Sequence, residues 1–577
     1  MPKPAAKRSR TAKPASKSAA KKAARPASAA KANGTTAAAF LETRLNGFRN
    51  QNTWWHHNQA GTMATFDRSF EAAVAWLRNG LSKPKGNLHP LVIGGRNVAT
   101  KESFTTVSPA DTRLATGSWA AGDRSHARDA IAAAKQGLAA WSATPWAKRA
   151  DILDRAADLY VKEFYKLCAV MSLEAGKTRY EASIDVDEAI DFLRYYALTM
   201  REMNGFDVAM GKPFPNESCR SVRKPWGVFA VICPFNFPIA ITTGMAAAAL
   251  VTGNTAILKP SGKGVLSGWW VFSLLKKAGI PDGALHFLTG ADHAVSTELL
   301  ENPDMDGLVF TGSKRVGMEA WRTMAAQGRP KPLIAEMGGK NSIVVSAKAD
   351  LDKAVQGAFR SAFGFQGQKC SACSRIYVHK KVAREFKERL VKLTEAARVG
   401  LPWAKESYMG PTIGADKLRL MEELVEVVKG DGGKVLTGGT APKRDANGAL
   451  LKGHYLRPTL VTGLPADHRV FREEFFMPFA AILEVDSFDA GIAEANAVEY
   501  GLTAGCFTED ETEAERFFAT IQSGVTYLNR SVGGSTGAVV NGQSFVGWKN
   551  SGTTGNGAGG RYYLLQFTRE QSQTRVA

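Results

Sequence analysis

The chain has 577 residues, 44% of them hydrophobic and 22% charged, the composition of a water-soluble globular protein too long for a single core. Its net charge of +20 is unevenly placed: ten Lys and Arg and no acid lie in residues 1–34, which leaves +10 for the body. The six cysteines (Cys168, Cys219, Cys233, Cys370, Cys373, Cys506) are sparse and scattered, which argues against a secreted disulfide framework and for a reducing, cytoplasmic setting.

Residues 1–34 lack Leu, Ile, Val and Phe and cannot bury an apolar face, so 1–36 is expected to be a disordered basic tail. Three readings stay open for it: a solubilising tail, weak attachment to nucleic acid or another polyanion, and an organelle transit peptide. The lack of large apolar residues counts against the third, and there is no apolar core of a secretory signal. Residues 40–81 read as helical and aromatic. The adjacent His56 and His57 point in different directions on a helix and are no ligand pair. A strand and turn follow at 91–95, then amphipathic helices at 127–141, 148–170 and 181–201, a layer with no evident chemistry.

Residues 225–258 carry no charge. Pro234, Asn236, Pro238, Thr242, Thr243, Gly244 and Asn254 interrupt them, so a buried strand, a loop and a core helix fit better than a membrane span. Strands at 255–258, 285–288, 307–310 and 333–335 alternate with helices at 265–278, 294–300 and 316–326. That alternation predicts a doubly wound α/β sheet, which binds ligands at the carboxyl ends of its strands. A second α/β segment runs from 338 to about 551. In it a helix with an apolar face at Leu351, Val355, Phe359 and Ala362 ends near Gly364, and a strand is expected at 376–379.

Between that helix and strand lies Gly367-Gln368-Lys369-Cys370-Ser371-Ala372-Cys373-Ser374. A cysteine on a small-residue turn can be both exposed and held, and Lys369 beside it would favour the thiolate. Cys370 and Cys373 form one CxxC, but a zinc site would want a second pair or histidines at ligand spacing, so no metal is expected. Three further motifs carry chemistry. Pro234-Phe235-Asn236-Phe237-Pro238 offers a rigidly placed amide donor suited to an oxyanion. Thr311-Gly312-Ser313, with Gly317 after it, follows a strand and opens a helix where a pyrophosphate can approach. Glu336-Met337-Gly338-Gly339-Lys340 puts a carboxylate at a strand end, where burial could make it a base for water.

In this order, together with Leu258-Lys259-Pro260-Ser261 and Glu473-Glu474-Phe475-Phe476, the motifs resemble the aldehyde dehydrogenase superfamily over about 91–574. The resemblance implies an aldehyde dehydrogenase-like fold: a Rossmann-like cofactor domain (60–206 and 227–337), a catalytic α/β domain (338–551) and a small β oligomerisation flap (207–226 and 562–577). It implies that Cys370 attacks an aldehyde, that Asn236 and the Cys370 backbone N–H stabilise the oxyanion, and that Glu336 activates water against the thioester. Lys259, Ser261, Gly262, Gly312, Ser313, Gly317, Glu474 and Phe476 fall at cofactor positions. NAD is the expected cofactor; Gly262, where a Glu often stands against a 2′-phosphate, and Lys263 leave NADP open.

The Cys370 turn, Asn529-Arg530, Thr536-Gly537-Ala538-Val539-Val540 and Gly559-Gly560-Arg561-Tyr562-Tyr563 resemble the branch that oxidises L-glutamate γ-semialdehyde, the 1-pyrroline-5-carboxylate dehydrogenases of proline metabolism. The branch implies a substrate site of Lys369, Ser371, Gly537, Ala538 and Phe545, with another small aldehyde as the alternative. Three departures stand out: a longer loop at 531–535, Val546 in place of a Gly, and Met477 where the superfamily usually has Gly. Flap strands at 216–224 and 562–575 would be exposed edges in a lone subunit, so a homodimer or higher even oligomer is expected.

Overall fold

The computed structural model describes residues 48–81, 88–290, 293–531 and 539–577. The chain falls into two units, Met1–Arg49 and Asn50–Ala577. The expectations for the basic tail lie outside the described residues, as do those for Gly537 and Ala538.

In the second unit, five parallel strands form one sheet, in the spatial order Leu333–Glu336, Gly307–Thr311, Val228–Ile232, Thr255–Lys259, Leu285–Phe287. The antiparallel Leu91–Ile93 and Arg96–Val98 extend it at one edge. The strand order reverses between Val228–Ile232 and Gly307–Thr311, which opens a crevice beyond their carboxyl ends. Val228 to Val231 are completely buried, as expected of a parallel strand covered on both faces.

A second seven-stranded sheet runs Lys434–Thr437, Thr459–Thr462, Phe479–Val485, Cys373–His379, Asn341–Val345, Thr503–Phe507, Val525–Leu528. All of its pairs are parallel except the first. Helix Leu351–Phe363 covers it through Ala354, Val355, Ala358, Phe359 and Ala362, starts on an Asp350 cap and stops at Gly364. A third, antiparallel sheet joins Asp207–Ala209, Glu217–Pro225 and the C-terminal Thr568–Val576, the last two in register from Thr568 opposite Pro225 to Val576 opposite Glu217.

Two helical expectations need correction. The helix read at 148–170 is two helices, Trp146–Lys162 and Phe164–Glu174, which meet at Glu163. The stretch read at 40–81 contains Thr53–Gln59, capped by Asn52, and Met63–Leu81, separated by a turn with Gly61 at φ 67°. Among the described residues no helix is long and apolar enough to cross a membrane.

Candidate active site

The crevice at the strand reversal is a cleft of about 610 Å³. Lys259, Ser261, Gly262, Gly312, Ser313, Glu474 and Phe476 all line it. Ser313 is the N-cap of helix Lys314–Ala325, so the end of the helix that favours anions faces the cleft. Glu474 accepts from the Gly339 N–H at 2.9 Å, and a Cβ on Gly338 would lie 2.0 Å from its Oε2, so a side chain there would push the carboxylate aside. Burial pushes the Glu474 carboxyl up to about 7. Phe476, at φ 55°, meets Phe235 edge-on at 5.8 Å. Polar groups spread along a long cleft, with a helix N-terminus in it, fit a dinucleotide. Gly317 is the exception among the expected cofactor residues: it is buried under the cleft, where a Cβ would sit 2.5 Å from Met337 Sδ, and is a packing position.

Cys370 lies on a turn that several side chains hold from outside. The turn is entered through three left-handed residues in a row, Phe365 (φ 49°), Gln366 (φ 57°) and Gly367 (φ 66°). The two that are not glycine cost about 1–3 kcal/mol each unless surrounding contacts impose them. Those contacts are present. Gln366 Nε2 donates to the carbonyls of Gly176 and Pro411, and Gln368 Oε1 accepts from the Ile413 N–H. Asn341 Nδ2 donates to the Cys370 and Ala372 carbonyls at 2.6 and 2.9 Å, and Thr503 Oγ1 donates to the Ser371 carbonyl. Burial pushes the thiol well above its ordinary range, and the carboxylates of Glu474, Glu336 and Glu188 push it the same way. Lys369 does not offset them. Its ammonium is paired with Glu181, 2.9 Å from Oε1 and 2.7 Å from Oε2.

On the other side of the thiol is a narrow cavity of about 50 Å³. Cys370 and Thr311 line both the cleft and this cavity, so the two meet at the sulfur. Glu336, Ser371 and Phe545 line the cavity. Lys369 does not, which sets it apart from the other described residues expected to hold substrate. Glu336 Oε2 is buried with no hydrogen-bond partner among the described residues, and burial raises its carboxyl well above the usual range. A carboxyl so raised is a stronger base than an ordinary carboxylate, and in its ionised form it can take a proton from a bound water. Asn236, on the cleft side, is buried at the end of Val228–Ile232. Its loop is anchored by Asp185, which accepts from the Ala240 N–H at 2.6 Å and pairs with Lys177 at 2.8 Å.

The layer read as having no chemistry supplies one wall of the cavity. Glu188 and Phe192, one turn apart on helix Arg179–Glu202, both line it, and burial raises the Glu188 carboxyl well above its ordinary range. Read from sequence, the apolar spacing of this helix gives only packing. The signal that could have found Glu188 is the density of acids between Glu181 and Asp191 on a helix that is otherwise core. Cys373 is buried in the core of the second sheet, and its thiol points to the Arg375 carbonyl. Among the described residues no cluster of His, Cys, Asp or Glu could hold a metal ion.

A crevice at a strand reversal meeting a narrow cavity at one cysteine, with a carboxylate lining that cavity, is the arrangement of a dehydrogenase with a sulfur nucleophile. Residues 97–573 match the aldehyde dehydrogenase family, and the chain belongs to that family. The 1-pyrroline-5-carboxylate dehydrogenase of Anoxybacillus flavithermus is 37% identical over 488 residues, 84% of this chain and 92% of its own. The 1-pyrroline-5-carboxylate dehydrogenase 2 of Bacillus subtilis is 36% identical over 506 residues, 86% and 94% of the two chains. A solved 1-pyrroline-5-carboxylate dehydrogenase from Thermus with bound NAD superposes with a TM-score of 0.85 at 32% identity, covering 92% of this chain and all of that one.

Proposed function

We propose that the chain oxidises L-glutamate γ-semialdehyde to L-glutamate with NAD, a step of proline catabolism. The observation that carries this reading is the cavity beside Cys370, whose lining joins a buried carboxylate, Glu188, to Ser371 of the cysteine turn. A substrate with an α-ammonium and an α-carboxylate needs an anion for one and donors for the other. The substrate's ammonium would itself favour the ionised form of Glu188, which supplies the anion; Ser371, with Gly537 and Ala538 as the branch resemblance implies, supplies the donors. The relatives that share most of this chain carry the same activity in their names.

Cys370 Sγ attacks the aldehyde carbon and gives up its proton, forming a thiohemiacetal. The Asn236 amide and the Cys370 backbone N–H stabilise its oxyanion. NAD, when bound in the cleft, would supply the hydride acceptor for this carbon. The carbon is then a thioester on Cys370, and Glu336 takes a proton from the water that attacks it, releasing the acid and the thiol. Lys259 and Glu474 would hold the cofactor's ribose hydroxyls, and Ser313 its pyrophosphate. Gly262 leaves open space beside Lys263, so NADP is tested alongside NAD. The three-stranded flap, with Asp207–Ala209 at its edge, is the surface we assign to pairing with a second copy in a dimer or higher even oligomer.

The test is a panel of aldehydes at fixed concentration with each cofactor, following the reduced form. The semialdehyde is expected to give the highest kcat/KM. A higher value for a short aliphatic aldehyde overturns the substrate, and the reading becomes oxidation of another small aldehyde.

A further inference from the structure

Two walls of the catalytic cavity come from segments far apart in sequence. One is helix Arg179–Glu202, with Glu188 and Phe192. The other is the segment 539–563, with Phe545, Ala558 and Tyr563. Directly between them they share few hydrogen bonds: the Gly559 N–H donates to Tyr196 Oη at 3.2 Å, and Tyr196 stacks on Tyr563 at 5.7 Å.

A strap, residues 50–52 leading into helix Thr53–Gln59, runs past both. Asn50 Nδ2 donates one hydrogen bond to Asp191 Oδ2 at 2.8 Å and one to the Val540 carbonyl at 2.9 Å. A side-chain amide nitrogen has two N–H groups, so here each wall receives one. The rest of the strap is tied to the helix alone. The Gln51 N–H donates to Asp191 Oδ1 at 2.7 Å, and the Thr53 N–H and Oγ1 donate to Asp187 at 2.8 and 2.7 Å. Asp187 and Asp191, buried and four residues apart, flank Glu188. Val540 is buried and leads into the second wall: the Asn541 N–H donates to the Gly559 carbonyl, and Phe545 and Ala558 exchange two hydrogen bonds at 2.9 Å.

We infer that Asn50 is a positioning residue for substrate selection, holding the Glu188 wall and the Val540 wall at the separation a substrate bearing both α-ammonium and α-carboxylate requires. It touches no reacting atom. Its effect falls on substrates that bridge the two walls and spares short aldehydes that reach only Cys370.

The inference rests on the substrate reading above, and the experiment separates the two. Steady-state kinetics with L-glutamate γ-semialdehyde and with propanal are compared for the full-length wild type, Asn50→Ala and Thr53→Val. Asn50→Ala removes both donors. Thr53→Val removes a bond to the helix without touching the second wall, and so reports the cost of loosening the strap alone. The expected result for Asn50→Ala is a KM for the semialdehyde raised about tenfold, kcat within twofold, and unchanged propanal kcat/KM and NAD affinity. Thr53→Val is expected to leave both substrates within twofold. Equal losses on both substrates, an unchanged semialdehyde KM, or the same KM rise in Thr53→Val overturns the inference. Should Asn50→Ala not fold, Asn50→Ser, which keeps one donor at most, is read the same way. If the wild type prefers propanal, the substrate reading falls and the inference with it.

Discussion

Replacing Asp185 tests the anchor of the oxyanion loop. Its carboxylate and the Lys177 ammonium are 2.8 Å apart and completely buried. Burial pushes Asp185 up and Lys177 down, and the attraction between them opposes both. In Asp185→Ala the ammonium keeps its places over Phe237 and Phe365, 3.5 and 4.5 Å from their ring centres, but loses its counter-ion. Breaking a buried pair from one side costs about 3–5 kcal/mol; the remaining charge keeps only the weaker attraction of Glu181. The Ala240 N–H also loses its acceptor, and with it the link to the loop carrying Asn236. Displacing one oxyanion donor costs about 10²–10³ in kcat. The assay pairs urea unfolding with turnover for Asp185→Ala, Lys177→Met and the double variant Lys177→Met/Asp185→Ala. Removing both charges removes both burial penalties, so the double variant is expected to be more stable than Asp185→Ala while staying poor in kcat. Additive destabilisation in the double variant would refute the argument that the pair, rather than two independent contacts, anchors the loop.

Three other outcomes follow. Glu336→Gln removes one of the negative charges that raise the Cys370 thiol, so the pH limb of iodoacetamide alkylation at Cys370 is expected to move to lower pH; an unchanged or higher limb contradicts the placement of Glu336 beside the sulfur. Glu174 accepts from the Leu266 N–H, the Ser267 N–H and Ser267 Oγ at the start of helix Val265–Ala278, yet burial raises it from 4.5 to about 7. Because the folded value is the higher one, this group's contribution to stability is full below pH 4.5 and is lost on rising through pH 7. Relative to Glu174→Gln, the wild type is expected to lose about 3 kcal/mol over that window in urea titrations, whereas parallel curves would contradict the shift. Gly338→Ala drives a methyl against Glu474 and is expected to raise the KM for NAD at least tenfold while leaving iodoacetamide labelling of Cys370 unchanged; a normal NAD KM would remove Glu474 from the cofactor site.

What the sequence makes legible is what is local or strictly ordered. Strand–helix alternation from 255 to 335 follows from apolar periods and turn residues, and the observed elements agree within a residue or two. The sulfur, the amide and the carboxylate are readable because each sits on a short motif at a strand end. Pairings across the fold are not. Lys369 looks like a partner for the adjacent thiol, but Glu181, brought in by a helix from much earlier in the chain, takes its charge. Gly317 looks like part of a phosphate loop because glycines that admit a ligand and glycines that admit a neighbouring side chain read alike. Glu188 sits in a helix whose apolar spacing predicts core, and only the fold places its carboxylate in the cavity. The left-handed run at 365–367 carries no signal in Phe-Gln, since tertiary contacts impose it.

The central claim is that Cys370 carries the acyl group which Glu336 helps water to remove. Rapid quenching of the Glu336→Gln variant after mixing with L-glutamate γ-semialdehyde and NAD, followed by peptide mass spectrometry, tests it directly. The account predicts one γ-glutamyl group on the peptide containing Cys370, formed together with a burst of reduced cofactor. A burst with the label on another residue, or turnover retained in Cys370→Ala, would contradict it.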